Sequence, residues 1–169
     1  MVVFDLELAK CIFSKGFFGK PLGIKKPKTV DINQPIELSI IEAIYLAELG
    51  VIEVVKDGRV LSINELLEIA KKLIPDAELL YSTYKELREQ GLTVRSGLKY
   101  GADFALYRTR PGLEHAPYLV KVLRYDEEVD PGNLIGWGRI SHSVRKNLLV
   151  AITYPGGVRK YIMLKWLRP

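Results

Sequence analysis

The periodicity of apolar residues changes at Gly91, and this change constrains the fold more than any other feature of the sequence. Before Gly91, Ser39 with Glu42 and Ser62 with Glu65 have the spacing of a capping box, and an apolar run follows each pair. In a capping box the two side chains bond to backbone N–H groups that the first turn of a helix leaves unpaired. The first half of the chain is therefore predicted to contain two well-defined helices.

The rest of the first half carries weaker signals. Residues 1–10 alternate loosely and predict an edge strand, whereas residues 16–37 are rich in Gly, Pro and Lys and predict a long loop. The pair Asp57-Gly58 is a strong hairpin signal, so two short strands are expected around it. A third helix is predicted from about residue 76 to residue 90.

After Gly91, apolar and polar residues alternate in segments that Gly and Pro turns separate, which is typical of strands. In chain order the segments are LTVRSGL, ADFALYRT, PYLVKVLRY, a helical LIGWGRISHSVRKNL, LVAITY and VRKYIMLKWL. The predicted fold class is α+β. A small N-terminal helix and sheet domain is expected over residues 1–83, followed over residues 84–169 by an α/β domain with a mixed, largely antiparallel sheet.

The basic charge of the chain lies in its second half. The whole sequence has 25 Lys and Arg against 20 Asp and Glu, a net charge of +5. Residues 1–80 hold 10 basic and 12 acidic side chains, whereas residues 81–169 hold 15 and 8. A phosphate backbone is a natural partner for such a surface, although a solvated charged face remains the alternative.

Several classes of protein are disfavoured. No run approaches the roughly 18 apolar residues of a transmembrane helix, and the N-terminus lacks the pattern of a signal peptide, so no membrane contact and a cytoplasmic location are expected. Cys11 is the single cysteine, which excludes an intramolecular disulfide and a thiolate zinc site. No GxxxxGK[ST] or GxGxxG motif occurs. Asp103 and Glu114 share no spacing typical of a metal site, so neither a metal nor another cofactor is predicted.

Two histidines exist, His115 and His142, and each is a candidate for chemistry. His115 lies in a turn-rich loop between two predicted strands, where catalytic groups are often placed. Tyr107 precedes it at the end of a strand, and it points outward if Phe104 and Leu106 face the core. Either side chain could also be an inert surface residue.

The predicted second-half helix presents a cationic face. At 100° per residue, Arg139, His142, Ser143 and Lys146 fall on one side, opposite Ile140, and no carboxylate interrupts them. Such a stripe suits phosphate binding. Tyr, His and Lys together permit metal-free phosphodiester cleavage, in which a base, an acid and a cation act on one phosphate.

The flanks of these residues resemble the archaeal tRNA-splicing endonucleases. The resemblance lies in YKELREQGLTVRSGLKYGADFALYR, HAPYLVKV and GRISHSVRKNLLVAI, and it extends back through LSIIEAIYLAELGVIEV, so it covers nearly the whole chain. It implies that the second domain is a nuclease domain. It also implies that introns are cleaved out of precursor tRNA at a bulge–helix–bulge, without metal, leaving a 2′,3′-cyclic phosphate and a 5′-hydroxyl.

The resemblance also implies residue roles. Tyr107 corresponds to the general base, His115 to the general acid, and Lys146 of HSVRK to the group that stabilises the transition state. His142 belongs to the same signature and is interpreted as structural or as a minor phosphate contact. Arg139 corresponds to one of the two side chains that clamp a flipped bulge base, and this chain offers Trp166 for the second, where many members have arginine.

Two departures from the family pattern bear on assembly. The segment TYPGGVR carries no acid, whereas many members have an acidic loop there that docks on a neighbouring subunit. The loop GIKKPKTVDINQP resembles the lysine-bearing insertion of the crenarchaeal branch, so Lys25, Lys26 or Lys28 is expected to touch RNA; the alternative is a disordered surface loop. We therefore expect an α2β2 heterotetramer with a separate structural subunit.

A noncatalytic structural or RNA-binding subunit of the same assembly is the alternative function. Such a subunit is expected to lose members of the Tyr–His–Lys set and to keep the acidic docking loop. This chain shows the reverse on both counts, which favours the catalytic subunit.

Overall fold

The structure is a computed structural model that describes residues 1–24, 27, 29–109 and 115–165. The contacts divide the chain into two compact units, Met1–Tyr81 and Ser82–Pro169. Within the described residues, no helix is both long and apolar enough to cross a membrane.

The first unit combines three helices with two small sheets. Its elements are β1 (Val2–Val3), α1 (Leu6–Gly16), β2 (Lys20–Pro21), β3 (Ile36–Glu37), α2 (Ile40–Glu48), β4 (Val55–Lys56), β5 (Arg59–Val60) and α3 (Ile63–Leu73). β3 is the middle strand of an antiparallel sheet with β1 and β2, and β4 pairs with β5 alone. The helix α4 (Ala77–Glu89) begins in this unit and continues into the second.

Both predicted capping boxes are confirmed. Ser39 and Glu42 bond reciprocally at the start of α2, and Ser62 and Glu65 do the same at the start of α3. Glu42 also accepts a hydrogen bond of 3.0 Å from the N–H of Gly19, so this cap ties the helix to the strand region before it. The hairpin is confirmed as well, since the β4–β5 turn is formed by Asp57 and Gly58, both with positive φ.

The N-terminal segment differs from the sequence-based expectation. Only Val2–Val3 is a strand, and α1 follows from Leu6, with the side chain of Asp5 accepting from the N–H of Leu8. The buried residues of α1 are spaced as a helix requires; they are Ala9, Ile12 and Phe13. The segment 16–37, predicted as a loop, contains the strands β2 and β3.

The second unit is built on a five-stranded sheet. Its strands are β6 (Thr93–Ser96), β7 (Phe104–Tyr107), β8 (Tyr118–Arg124), β9 (Asn147–Thr153) and β10 (Arg159–Leu164), with α5 (Pro131–Ser143) between β8 and β9. The order across the sheet is β10-β9-β8-β7-β6. β8 and β9 are parallel and the other pairs are antiparallel, which confirms the predicted mixed, largely antiparallel sheet.

The strand β7 is buried on both faces, which the sequence pattern did not indicate. Phe104 lies near the ring of Tyr84 in α4, with the ring centroids 5.9 Å apart. Ala105 belongs to a cluster on the other side, and the partly buried Trp137 of α5 packs against this cluster. Tyr107 packs there too, on the face opposite Phe104 as predicted, but this face is covered, so Tyr107 is half-buried rather than pointing outward.

A buried ionic network joins α4 to the β9–β10 hairpin. The guanidinium of Arg159, whose side chain is 3% exposed, pairs with Glu86 of α4. It also donates to the hydroxyls of Ser82 and Thr153, each at 2.9 Å. The hydroxyl of Tyr161 donates to Glu86 at 2.9 Å, and burial together with this carboxylate raises the pKa of Tyr161 above its ordinary range.

The loop between β6 and β7 has no space for a side chain at Gly97. A Cβ atom there would lie 2.8 Å from the backbone carbonyl of Phe104, which β7 holds in place. We therefore expect Gly97→Ala to destabilise the protein by about 2 kcal/mol, measured as the free energy of unfolding in denaturant.

Gly136→Ala is the matched control for this prediction. Gly136 lies inside α5, and an added Cβ would meet no atom within 4 Å. Alanine is the better helix former by about 1 kcal/mol, so this variant should be as stable as the parent or more stable. Equal losses in the two variants would contradict the steric argument at Gly97.

Candidate active site

The sheet topology brings three ends of strands to one edge. β7 runs antiparallel to β8, with Leu106 opposite Tyr118, and β8 runs parallel to β9, with Tyr118 opposite Asn147. The C-terminal end of β7 therefore lies beside the N-terminal ends of β8 and β9. Neighbouring strands are about 4.8 Å apart, so side chains at these ends can act on one small group.

The three predicted catalytic residues are located at these ends. Tyr107 is the last residue of β7, and Lys146 directly precedes β9. His115 is exposed and lies just before β8, which begins at Tyr118. The structure thus brings together three residues that are spread over about a quarter of the chain.

Lys146 is bonded to the backbone of the segment that carries His115. Its Nζ donates a hydrogen bond of 2.7 Å to the carbonyl oxygen of Ala116, the residue that follows His115. The same Nζ lies 5.4 Å from the centroid of the Tyr100 ring. Because the lysine is half-buried and bonded to the backbone, its ammonium group has a defined position at the edge.

The predicted placement of Lys146 on a helix is wrong. α5 ends at Ser143, and Arg145 adopts φ 55° in the turn that follows. The N–H of Arg145 donates to the carbonyl of His142 and the N–H of Lys146 to that of Ser141, which is the Schellman pattern of a helix C-terminus. This turn reverses the chain and delivers Lys146 to the strand ends.

The helix ends early for a tertiary reason. The predicted helical segment LIGWGRISHSVRKNL ended at Leu148, which instead lies in β9 and is buried. β9 pairs over its whole length with β8, and these interstrand hydrogen bonds outweigh a further helical turn in a segment of modest helix propensity. The helix also begins earlier than predicted, at Pro131, where Asp130 accepts from the N–H of Asn133.

Arg139 and His142 remain on α5, and both are exposed. These two residues therefore lie on the exposed surface of the helix as predicted, whereas Lys146 does not belong to the helix. Trp166, the other predicted clamp residue, lies outside the described residues, and so do the loop lysines Lys25, Lys26 and Lys28.

Sequence reasoning missed two residues of this edge, Lys99 and Tyr100. They form a short 3₁₀ turn, Leu98–Tyr100, and the Lys99 Nζ lies 4.6 Å from the centroid of the Tyr100 ring. The pKa of Lys99 is raised, first by a side-chain hydrogen bond to Tyr100 and further by electrostatic attraction to Tyr100 and Tyr107, while burial opposes the rise. Only their position between Gly97 and Gly101 in the sequence hinted that they belong to a tight loop.

Asp103, weighed above as a metal ligand, has another role. Its carboxylate forms an ion pair of 3.1 Å with Lys121 and accepts a hydrogen bond of 2.7 Å from the N–H of Val122. The residue therefore fastens the start of β7 to β8. Over the described ranges, no group of three or more His, Cys, Asp and Glu side chains is arranged to hold a metal ion.

Comparison with known proteins gives similarity over nearly the entire chain. The family model described as tRNA intron endonuclease, catalytic C-terminal domain, matches residues 77–161, and the model of the N-terminal domain of the same family matches residues 1–67. A protein of Hyperthermus butylicus named tRNA-splicing endonuclease is 49% identical over 170 residues, covering 99% of this chain and 94% of that protein.

Two further relatives carry the same name. The protein of Sulfolobus acidocaldarius is 49% identical over 170 residues, again covering 99% of this chain and 94% of the relative. The protein of Saccharolobus islandicus is 47% identical over 167 residues, covering 97% of this chain and 92% of the relative. All three similarities include the strand ends that carry the candidate residues.

Proposed function

Because the chain belongs to the tRNA intron endonuclease family, whose members are RNA endonucleases, we propose that it is the catalytic subunit of a tRNA-splicing endonuclease. Its substrate is precursor tRNA containing a bulge–helix–bulge. The observation that carries this proposal is the meeting of Tyr107, His115 and Lys146 at one edge of the sheet. A phosphodiester placed at that edge has a base, an acid and a cation within reach.

The reaction follows from these three groups. The phenolate of Tyr107 removes the proton from the ribose 2′-hydroxyl, and the 2′-oxygen attacks the adjacent phosphorus. The bond from phosphorus to the 5′-oxygen breaks, and the imidazolium of His115 donates its proton to that oxygen. The products are a 2′,3′-cyclic phosphate and a 5′-hydroxyl, and no metal takes part in the proton transfers.

Lys146 is suited to stabilise the charge that develops during this reaction. Its ammonium group is already positioned by the bond to the Ala116 carbonyl, so little reorganisation is needed when the phosphorane forms. The remaining ammonium hydrogens are available to the non-bridging phosphate oxygens. Preorganised cations of this kind contribute more than mobile ones because their ordering is completed during folding.

The substrate RNA also needs positioning away from the reacting phosphate. Arg139, exposed on α5, and Trp166 are proposed to clamp a flipped bulge base between a guanidinium and an indole. One of the loop lysines, Lys25, Lys26 or Lys28, is proposed to contact the RNA backbone, since lysine neutralises phosphate charge.

A second subunit is part of the proposal. The connection between β9 and β10, which contains the turn Pro155–Gly157, has no acidic residue and so offers no negative charge to a basic pocket on a neighbouring copy. We propose that a separate structural chain supplies the acidic loops in an α2β2 assembly in the cytoplasm.

Cleavage of a labelled bulge–helix–bulge RNA in EDTA tests the catalytic proposal. The chain, with a structural subunit if one is required, should release the intron and leave a 2′,3′-cyclic phosphate. A matched RNA with 2′-deoxyribose at the cleavage positions should bind and stay intact, since it lacks the attacking hydroxyl. Cleavage of that RNA, or loss of activity in EDTA, would contradict the mechanism.

Light scattering tests the assembly separately. The chain expressed alone should not form an active tetramer, and adding a structural subunit should generate activity. A tetramer of this chain that cleaves by itself would disprove the heterotetramer while leaving the catalytic proposal intact.

A further inference from the structure

A loop between β6 and β7 carries a second ammonium group to the edge where Tyr107 lies. The Nζ of Lys99 is 4.6 Å from the centroid of the Tyr100 ring, and the Nζ of Lys146 is 5.4 Å from the same point. Two cations therefore share one aromatic ring beside the strand end of Tyr107. Ring faces attract cations, so Tyr100 provides a favourable place for both.

The position of Lys99 is set by backbone contacts. The N–H of Tyr100 donates to the carbonyl of Gly97 at 2.8 Å, and the N–H of Gly97 donates to the carbonyl of Asp103 at 3.0 Å. The carboxylate of Asp103 in turn accepts from the N–H of Val122 in β8. The turn that carries Lys99 is thus fixed to the sheet, and its ammonium group is not on a freely moving segment.

Tyr100 and Tyr107 pack against the same buried cluster, so the ammonium group held at the Tyr100 ring lies close to Tyr107. Attraction to Tyr107 also contributes to the raised pKa of Lys99, after the hydrogen bond and the attraction to Tyr100. A cation near a phenol favours its ionised form. A free tyrosine has a pKa near about 10 and is a poor base at neutral pH, so a base at this position needs such a cation.

The surroundings of Tyr107 are mostly cationic. Arg95 of β6 shares its face because it pairs with Ala105, and Lys121 of β8 is engaged by Asp103. The other ionisable groups at this edge are Tyr100, His115, Lys146, Tyr118 at the start of β8, and Arg108, whose guanidinium lies 5.2 Å from the centroid of the Tyr118 ring. In the part of the chain that the structure describes, no carboxylate is ion-paired with Lys99 or Lys146.

We propose that Lys99 is a positioning residue of the catalytic site, whose ammonium group, held at the Tyr100 ring, stabilises the phenolate of Tyr107 and makes it an effective base. The inference rests on the proposed role of Tyr107 in cleavage. It assigns Lys99 to the base and Lys146 to the phosphate, so the two lysines of this edge have different functions.

Single-turnover cleavage measured from pH 5 to pH 11, beyond the pKa of a free tyrosine, tests this assignment. In the assembled enzyme with Lys99→Met, we expect the alkaline midpoint of the rate profile to rise by about one pH unit. At pH 7 the rate should fall about three- to tenfold, because a smaller fraction of Tyr107 is ionised. The fall is less than the full tenfold if the more basic tyrosinate also reacts faster. Above the new midpoint the rate of the variant should approach that of the parent at the same pH, because Tyr107 is then ionised in both proteins. Lys99→Arg should follow the parent profile.

A second measurement reports ionisation without RNA. Tyrosinate absorbance at 295 nm is titrated in the parent and in Lys99→Met, each against its Tyr107→Phe derivative, so that the difference isolates one of the nine tyrosines. The Tyr107 midpoint should be higher by about one pH unit without the lysine. Raising the salt concentration should reduce the difference between the two midpoints, because Lys99 is exposed and salt screens the effect of its charge on Tyr107.

The outcomes separate this inference from the proposed function. A rate loss of equal size at every pH would mean that Lys99 contacts phosphate, and an unchanged profile would mean that it has no role; either result overturns the inference. If the parent does not cleave RNA, the proposed function fails, and the absorbance titration still decides whether Lys99 controls Tyr107. Thermal melting confirms that the variants are folded.

Discussion

Replacing His115 with alanine should lower the single-turnover cleavage rate by about 100- to 10,000-fold, while the affinity for precursor RNA stays nearly constant. His115 is the proposed acid, and without it the departing 5′-oxygen must leave unprotonated or take a proton from water. The side chain is exposed, so the substitution should leave the fold intact. The measurement is a gel assay at saturating enzyme, together with a binding titration on uncleavable 2′-deoxy RNA.

His142→Ala is the matched control for His115. His142 is the other histidine of the chain, it is also exposed, and it lies on α5 rather than at the strand ends. We expect its replacement to cost at most about tenfold, the loss typical of an auxiliary contact worth about 1.4 kcal/mol. A larger loss of activity for His142→Ala than for His115→Ala would indicate that His142 is the general acid. Full activity in His115→Ala would show that His115 does not protonate the 5′-oxygen.

Removing the guanidinium of Arg159 should destabilise the protein by about 3 kcal/mol, because deleting a buried cation that serves three partners takes a hydrogen bond or an ion pair from each of them. Arg159→Met keeps most of the side-chain volume while removing the charge. Glu86, whose side chain is 32% exposed, then loses its ion pair, and the hydroxyls of Ser82 and Thr153 lose a donor. The loss should appear as a melting temperature lower by roughly 10 °C.

A double-mutant cycle separates the ion pair from the lost packing. Adding Glu86→Gln to Arg159→Met should recover part of the stability, since the second change removes the carboxylate that the first leaves without its cation. Arg59→Ala serves as the control, because Arg59 and Glu65 form a pair with side chains 64% and 40% exposed. Exposed pairs contribute about 0–1 kcal/mol, so equal losses at Arg59 and Arg159 would show that burial is irrelevant here.

Residues close together in the sequence were the ones whose structure could be predicted from it. The cap of Ser62 and Glu65 and the turn of Asp57 and Gly58 form through hydrogen bonds or backbone angles within four residues, so the local order of residues indicates them. The helix α1 was missed although Asp5 and the spacing of its apolar residues signal it. The alternation over residues 1–10 does correspond to a strand, but that strand covers only Val2–Val3.

Predictions failed where a local pattern competed with strand pairing. The apolar spacing that continues past Ser143 fits a helix, but Asn147–Thr153 gains a full ladder with β8 and leaves the helix. Likewise, alternation in β7 suggested one buried face, whereas α4 and α5 cover opposite sides of that strand. Periodicity reports which residues are apolar and does not report how many layers will pack on a strand.

The sequence by itself determined the starts of α2 and α3, the hairpin, the α+β class and, through family resemblance, the identity of Tyr107, His115 and Lys146 as candidates. Only the tertiary structure decided that β7, β8 and β9 end at one edge, that a Schellman turn delivers Lys146 there, and that Lys99 lies beside Tyr100. The physical reason is the distance along the chain over which the stabilising contacts act. Caps and turns are stabilised within one helical turn, whereas a catalytic edge depends on pairing between strands that lie far apart in the chain.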